Sequence, residues 1–132
     1  MTSEFCGGLI VAIRARGLQV ALTCDPTDRK RILAVGTRHD VPVLTPPDIV
    51  HAAALYSNGL VVITPDTSIV HIASASGRPV VALYPAHGDP AGWGPRWTTS
   101  RVVVAESSDG EISDIPPEVV AKATLELIGR GD

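Results

Sequence analysis

Asp66, Thr67 and Ser68, with His71 one helical turn after Thr67, are the residues whose types and spacing suit binding of an anion. Pro65 closes the apolar run before them, and Asp66 is of a type that caps helix N-termini well. Thr67 and Ser68 then fall in a first helical turn, where backbone N–H groups lack intrahelical partners. Those donors, the positive end of the helix dipole and two hydroxyls suit a phosphate. His71 shares the helix face of Thr67 and Ser68, where its imidazole could reach a phosphate or a sugar hydroxyl. Because two anions repel, Asp66 is better placed to shape the turn than to touch the ligand. The same residues also fit a ligand-free reading, with Asp66 as a plain cap, Thr67 and Ser68 as ordinary helix starters and His71 as a half-buried side chain. The spacing suggests a site and does not establish one.

What must position these residues is an alternation of short β-rich runs with longer amphipathic segments. Residues 19–23, 41–44, 60–63, 79–84 and 101–104 read as strands, some apolar throughout, as parallel strands covered on both faces are. Helices are expected near 4–16, 27–37, 47–58, 67–77 and 116–129. The alternation predicts a Rossmann-like, three-layer α/β/α fold with a mostly parallel sheet of about five strands and right-handed crossovers. The site then lies at the carboxyl end of a parallel strand, where open α/β sheets bind ligands.

Several ends can be read directly. Thr45 is expected to cap the third helix, with Pro46 and Pro47 in its first turn and Asp48 favourable beside the dipole. Ile49, Ala52, Ala53 and Tyr56 give that helix a buried face, and Asn58 and Gly59 end it. In the next helix Ile69, Ile72, Ala73 and Ser76 form the packing side, and Gly77 permits a left-handed stop. The last helix starts around Pro116 and Pro117 and buries Val120, Ala123 and Leu127. Segment 85–100, rich in Gly, Pro and Trp, reads as a long ordered loop.

Composition narrows the classes. The chain has 132 residues, 45% hydrophobic and 19% charged, enough for one folded domain. A net charge of −3 offers no general attraction to nucleic acid. Arg29, Lys30 and Arg31 read as a solvated helix face. Cys6 and Cys24 have no metal or disulfide spacing and read as reduced side chains of a cytoplasmic protein. No signal peptide and no membrane-spanning run are evident.

Residues 63–84, reading Ile-Thr-Pro-Asp-Thr-Ser-Ile-Val-His-Ile-Ala-Ser-Ala-Ser-Gly-Arg-Pro-Val-Val-Ala-Leu-Tyr, resemble the signature of the heptosyltransferase family (glycosyltransferase family 9). That signature is an Asp-Thr/Ser-Gly turn, a His, a small-residue helix, Gly-x-Pro and an apolar strand. Residues 87–95 are similar to the loop that follows, and the likeness extends over 18–97. The resemblance implies the C-terminal, nucleotide-sugar-binding half of a GT-B enzyme, with residues 1–132 as one donor-binding domain. It implies an ADP-heptose-like donor, with Asp66, Thr67, Ser68 and His71 on the diphosphate side and His71 stabilising the leaving group. It further implies no metal or other cofactor, and a glycan or lipid-linked acceptor, such as a lipopolysaccharide core, held by an N-terminal domain that this chain lacks. A cytoplasmic location, peripheral to the inner membrane, would follow.

Two departures matter. Ser68 stands where the family has Gly, which adds a Cβ and a hydroxyl where a phosphate approaches. The family's first strand of this domain also has no counterpart, and in a 3-2-1-4-5-6 order that strand is central. The expectation is that its neighbours, 19–23 and 60–63, pair directly. Exchange of a strand between copies and a complementing chain are the other solutions. A non-catalytic nucleotide-binding or partner module, or another sugar-nucleotide enzyme such as an epimerase, would share the architecture.

Overall fold

The computed structural model describes residues 1–65, 67–95 and 98–129. Its elements run α1 (Ser3–Arg14), β1 (Leu22–Thr23), α2 (Arg29–His39), β2 (Val43–Leu44), α3 (Ile49–Ser57), β3 (Val62–Pro65), α4 (Ile69–Ala75), β4 (Val80–Tyr84), α5 (Pro90–Trp93), β5 (Ser100–Val104) and α6 (Pro117–Leu127). The expected α/β alternation is present, with five strands all paired in parallel.

The strands form two sheets, β1–β2 and β3–β4–β5. The expected direct pairing of the first and third strands is not made among the described residues. Val20 beside β1 and Ile63 of β3 belong to one apolar cluster with Ala12 and Ile13 of α1 and Ala121 of α6.

Strand β4 is the centre of the larger core. Its five residues are all buried because alternate side chains leave opposite faces. Val81 and Leu83 meet Phe5 of α1, Val103 of β5 and Val120 of α6. Val80, Ala82 and Tyr84 meet Ala52 and Tyr56 of α3 and Val70 and Ala73 of α4. Two helical layers thus cover this strand, which is why its sequence is apolar without alternation.

The smaller core lies on the α1 face, where Cys6 and Ile10 meet Val35 of α2 and Val41. Helix α1 therefore serves both sheets. Its paired glycines, unfavourable in a helix by about 1 kcal/mol each relative to Ala, lie close to neighbouring elements. A Cβ on Gly7 would come 2.7 Å from His39 Nε2 of α2, and one on Gly8 would come 3.0 Å from Pro117 Cγ of α6. At the end of α1, the Arg14 guanidinium donates to the His39 carbonyl, and Arg16 pairs with Glu118 of α6 at 2.5 Å.

Several helix ends differ from expectation. Asp48, not Thr45, caps α3, because its carboxylate reaches the His51 N–H at 2.8 Å. Ile49 is consequently in the exposed first turn at 69%, and the buried positions of α3 are Ala52 and Tyr56. Helix α6 buries Val120, Ala121, Thr124 and Leu125, with Ala123 and Leu127 partly covered at the margin. Segment 85–100 contains a short helix, α5, capped by Asp89. Gly77 has φ +76° and follows α4, as its stop signal predicted.

No helix of the described residues is long and apolar enough to cross a membrane. Cys6 is buried and Cys24 half-buried, both as free thiols. Burial pushes the Cys6 thiol above its usual value.

Candidate functional site

Helix α2 packs on the α1 side of β1–β2, whereas α4 packs on the opposite side of β3–β4. Crossovers of one hand on opposite faces carry the chain outward in opposite directions only when β1 and β3 run the same way. The winding therefore reverses between β1 and β3. A crevice outside the carboxyl ends of strands at such a reversal is where ligands of open α/β sheets bind. The described residues at these carboxyl ends are Cys24 to Asp28 after β1 and Thr67 to His71 after β3.

Asp66 lies outside the described residues. Thr67, Ser68 and His71 are all exposed, so three of the four predicted residues face solvent at the carboxyl end of β3. Helix α4 begins at Ile69, two residues later than the sequence suggested, because Thr67 and Ser68 form a turn of their own. Thr67 Oγ1 accepts from the Ile69 N–H at 3.2 Å, and its carbonyl accepts from the Val70 N–H at 3.1 Å. The Ser68 carbonyl accepts from the His71 N–H at 3.1 Å. The first backbone donors of α4 are thus occupied internally. The Ser68 hydroxyl and the His71 imidazole make no hydrogen bond with a described residue, which leaves them available to a ligand.

The packing side of α4 is Val70, Ala73 and Ser74, with Ile69 and Ile72 partly buried. Ser76, expected to pack, donates its hydroxyl to the Ala53 carbonyl of α3 at 3.2 Å. The buried hydroxyls beside the strands are satisfied locally: Thr64 donates to the Pro65 carbonyl and Ser74 to that of Val70. His71 is exposed above these buried groups.

The loop after β4 is built on close approaches. Gly88 N–H donates to the Pro85 carbonyl at 2.9 Å, and a Cβ on Gly88 would come 2.9 Å from Tyr84 Cδ1. Ala86 N–H donates to the Gly110 carbonyl at 2.9 Å, tying the loop to the turn after β5. His87 is exposed on this loop. Arg96 and Trp97 lie outside the described residues.

Sequence reasoning did not single out Asp25, and took Asp48 only as a favourable charge near a helix start. Asp25 Oδ1 accepts from Thr27 Oγ1 at 2.6 Å and from the Asp28 N–H at 3.2 Å. The Thr27 hydroxyl, then the Asp28 N–H, hold its carboxyl below the usual range. Asp48 is lowered by the His51 backbone N–H and then by the His51 side chain. The Asp-Pro-Thr-Asp and Pro-Pro-Asp-x-x-His spacings that encode these turns were visible as turn chemistry.

A separate groove of about 340 Å³ lies between the end of β5 and the start of α6, lined by Val104, Glu106, Ser107, Asp114, Ile115, Pro116 and Val119. It includes none of the predicted site residues. No cluster of three metal-ligating side chains occurs among the described residues.

The fold is an α/β domain of parallel strands connected through helices. Residues 8–113 match the model of glycosyltransferase family 9 (heptosyltransferase), and the chain belongs to that family. A glycosyl transferase family 9 crystal structure from Veillonella parvula DSM 2008 is similar with TM-score 0.83 and 21% identity over 98% of this chain. E. coli ADP-heptose lps heptosyltransferase II is similar with TM-score 0.77 and 22% identity over 98% of this chain. The chain spans 42% of the length of each, and the shared architecture is that of the GT-B heptosyltransferases. No curated protein matches it.

Proposed function

We propose that this chain is the nucleotide-sugar-binding portion of a glycosyltransferase, taking an ADP-heptose-like donor whose diphosphate lies at the turn formed by Asp66, Thr67, Ser68 and His71. The family match over residues 8–113 carries the reading. The exposure of Thr67, Ser68 and His71 beyond the carboxyl end of β3 supports it.

In the transfer, an acceptor oxygen forms a bond to the anomeric carbon as the bond from that carbon to the diphosphate oxygen breaks. The electron pair leaves with the diphosphate, and the acceptor proton passes to a base outside residues 1–132. The hydroxyls of Thr67 and Ser68 and the imidazole of His71 stabilise the departing charge by donating to it, so no metal is required. Asp66 shapes the turn. The acceptor, a lipopolysaccharide core or similar glycan, is held by a domain beyond these residues. The setting is cytoplasmic, at the inner membrane where lipid-linked acceptors are built.

Calorimetric titration of ADP, UDP and GDP into the wild type, Ser68→Ala and His71→Ala tests this. Saturable binding of one nucleotide, weakened about tenfold by each change, is expected for lost hydrogen bonds to a charged group. Binding unaffected by either change removes the diphosphate from this turn. A folded chain that binds none of the three is instead a partner module that retains the architecture.

A further inference from the structure

Asn58 and Gly59 end α3, yet the backbone there makes no demand for glycine. Gly59 lies outside the left-handed region, and beyond its chain neighbours a Cβ would meet no described residue closer than 3.5 Å. A glycine nitrogen after an asparagine is unhindered, and it can attack the side-chain carbonyl carbon of the residue before it. Asn58 is exposed, so water reaches the pair. Hydrogen bonds hold this corner. The Asn58 N–H donates to the Leu55 carbonyl at 3.1 Å, the Gly59 N–H to the Tyr56 carbonyl at 3.0 Å, and Asn58 Nδ2 to the Ala54 carbonyl at 2.9 Å. Closing a ring on the side chain needs the Gly59 nitrogen to eclipse Asn58 Cβ about the Cα–C bond. At the observed ψ of −6° it eclipses the Asn58 nitrogen instead.

We infer that Asn58-Gly59 is a self-modification site, where Asn58 loses its side-chain amide through a cyclic imide, and that the end of α3 gates the reaction. Hydroxide takes the proton of the Gly59 amide, and the nitrogen forms a bond to Asn58 Cγ. The bond from Cγ to the side-chain nitrogen breaks, and that nitrogen leaves as ammonia with a proton from water. Water then opens the ring at either carbonyl. Opening at Cγ leaves aspartate. Opening at the main-chain carbonyl leaves isoaspartate, with the backbone routed through Cβ and Cγ. The only co-reactant is water. Turning the Gly59 nitrogen towards Cγ breaks its bond to the Tyr56 carbonyl, so the last turn of α3 must open first. Either product sets a carboxylate at the negative end of the helix and removes the donor to the Ala54 carbonyl, which weakens that end. Ala52 and Tyr56 of the same helix belong to the larger core, so the weakening reaches the fold. This inference stands apart from nucleotide binding and uses none of the residues assigned to it.

The test is peptide mapping for isoaspartate at position 58 after the whole chain has stood for several weeks in warm, mildly alkaline buffer. One sample is kept folded and another is unfolded in guanidinium chloride. The folded chain should accumulate the product about tenfold more slowly than the unfolded one, because opening of α3 limits it. Gly59→Ala should lower the rate about tenfold in the unfolded sample, since a Cβ hinders the attacking nitrogen. That comparison does not depend on whether the variant folds. Asn58→Asp, a stand-in for one product, should lower the urea midpoint. Isoaspartate that forms in the unfolded chain and never in the folded one would overturn the site. Equal rates in the two states would overturn the gate. A midpoint left unchanged by Asn58→Asp would overturn the weakening of α3, and a rate left unchanged by Gly59→Ala would overturn the attack by the Gly59 nitrogen.

Discussion

Asp48 Oδ1 accepts two hydrogen bonds from one residue, the backbone N–H of His51 at 2.8 Å and its imidazole Nδ1 at 2.7 Å. The first holds the entry of α3, and the second fixes the ring over the turn. Both favour the ionised carboxylate, and the carboxyl is lowered from its usual 3.8. A carboxyl lowered on folding contributes stability that is present above its unfolded value and lost as the pH falls through its folded one. Asn also caps helices but does not titrate. Urea midpoints of wild type and Asp48→Asn, measured from pH 6 down to pH 2, should therefore converge below the ordinary carboxylate value. A constant difference across that range would show that the ionised form is not what caps α3.

Gly36 offers a separate test of packing against propensity. Ala in place of Gly gains about 1 kcal/mol within a helix. Here, however, the new Cβ would meet Val43 Cγ2 at 2.5 Å and the Val41 carbonyl oxygen at 2.9 Å. Overpacking of that kind costs about 1–3 kcal/mol, so Gly36→Ala should lower the urea midpoint. Gly7→Ala meets only the far end of the His39 side chain, which can swing aside, and should be near neutral. Equal effects of the two changes would contradict the packing of α2 on β2.

The layers make a third prediction. Leu83 is fully buried, whereas Val102, on β5, is 41% exposed. Leu83→Ala should cost about 2–5 kcal/mol and Val102→Thr less than about 1 kcal/mol, read by denaturant unfolding. A large loss from Val102→Thr would mean that something covers the outer face of β5.

Gly88 links the fold to the loop after β4. A side chain there would collide with Tyr84 and the Pro85 carbonyl. Gly88→Val should expose residues 85–90 to proteolysis while leaving far-ultraviolet circular dichroism nearly unchanged. Unaltered cleavage would show that the loop is not held by this approach.

The sequence made the alternation of elements legible because apolar runs such as 79–84 need cover on both faces, whatever the details. The stop at Gly77 was legible for a similarly local reason. Helix starts were less so. Thr45 and Asp48 are both good caps, and only the geometry after two prolines selects Asp48. The turn at Thr67 and Ser68 was read as helix because nothing local distinguishes a helical first turn from a separate turn whose hydroxyl bonds the next N–H. The division into two sheets depends on which strands meet across the fold. No window of neighbouring residues contains that information.

The long-range ties of α1 bear on how the chain acquires its structure. Thr2 donates its N–H to the Ser113 hydroxyl across 111 residues, and Arg16 meets Glu118 across 102. Helix α1 thus finds its partner α6 far along the chain. Until the two meet, Phe5 and Ile13 lack part of their native cover. Closing so long a loop is entropically unfavourable and slow. The docking of α1 on α6 is accordingly a late event, and the interval before it is when this protein is most exposed to aggregation.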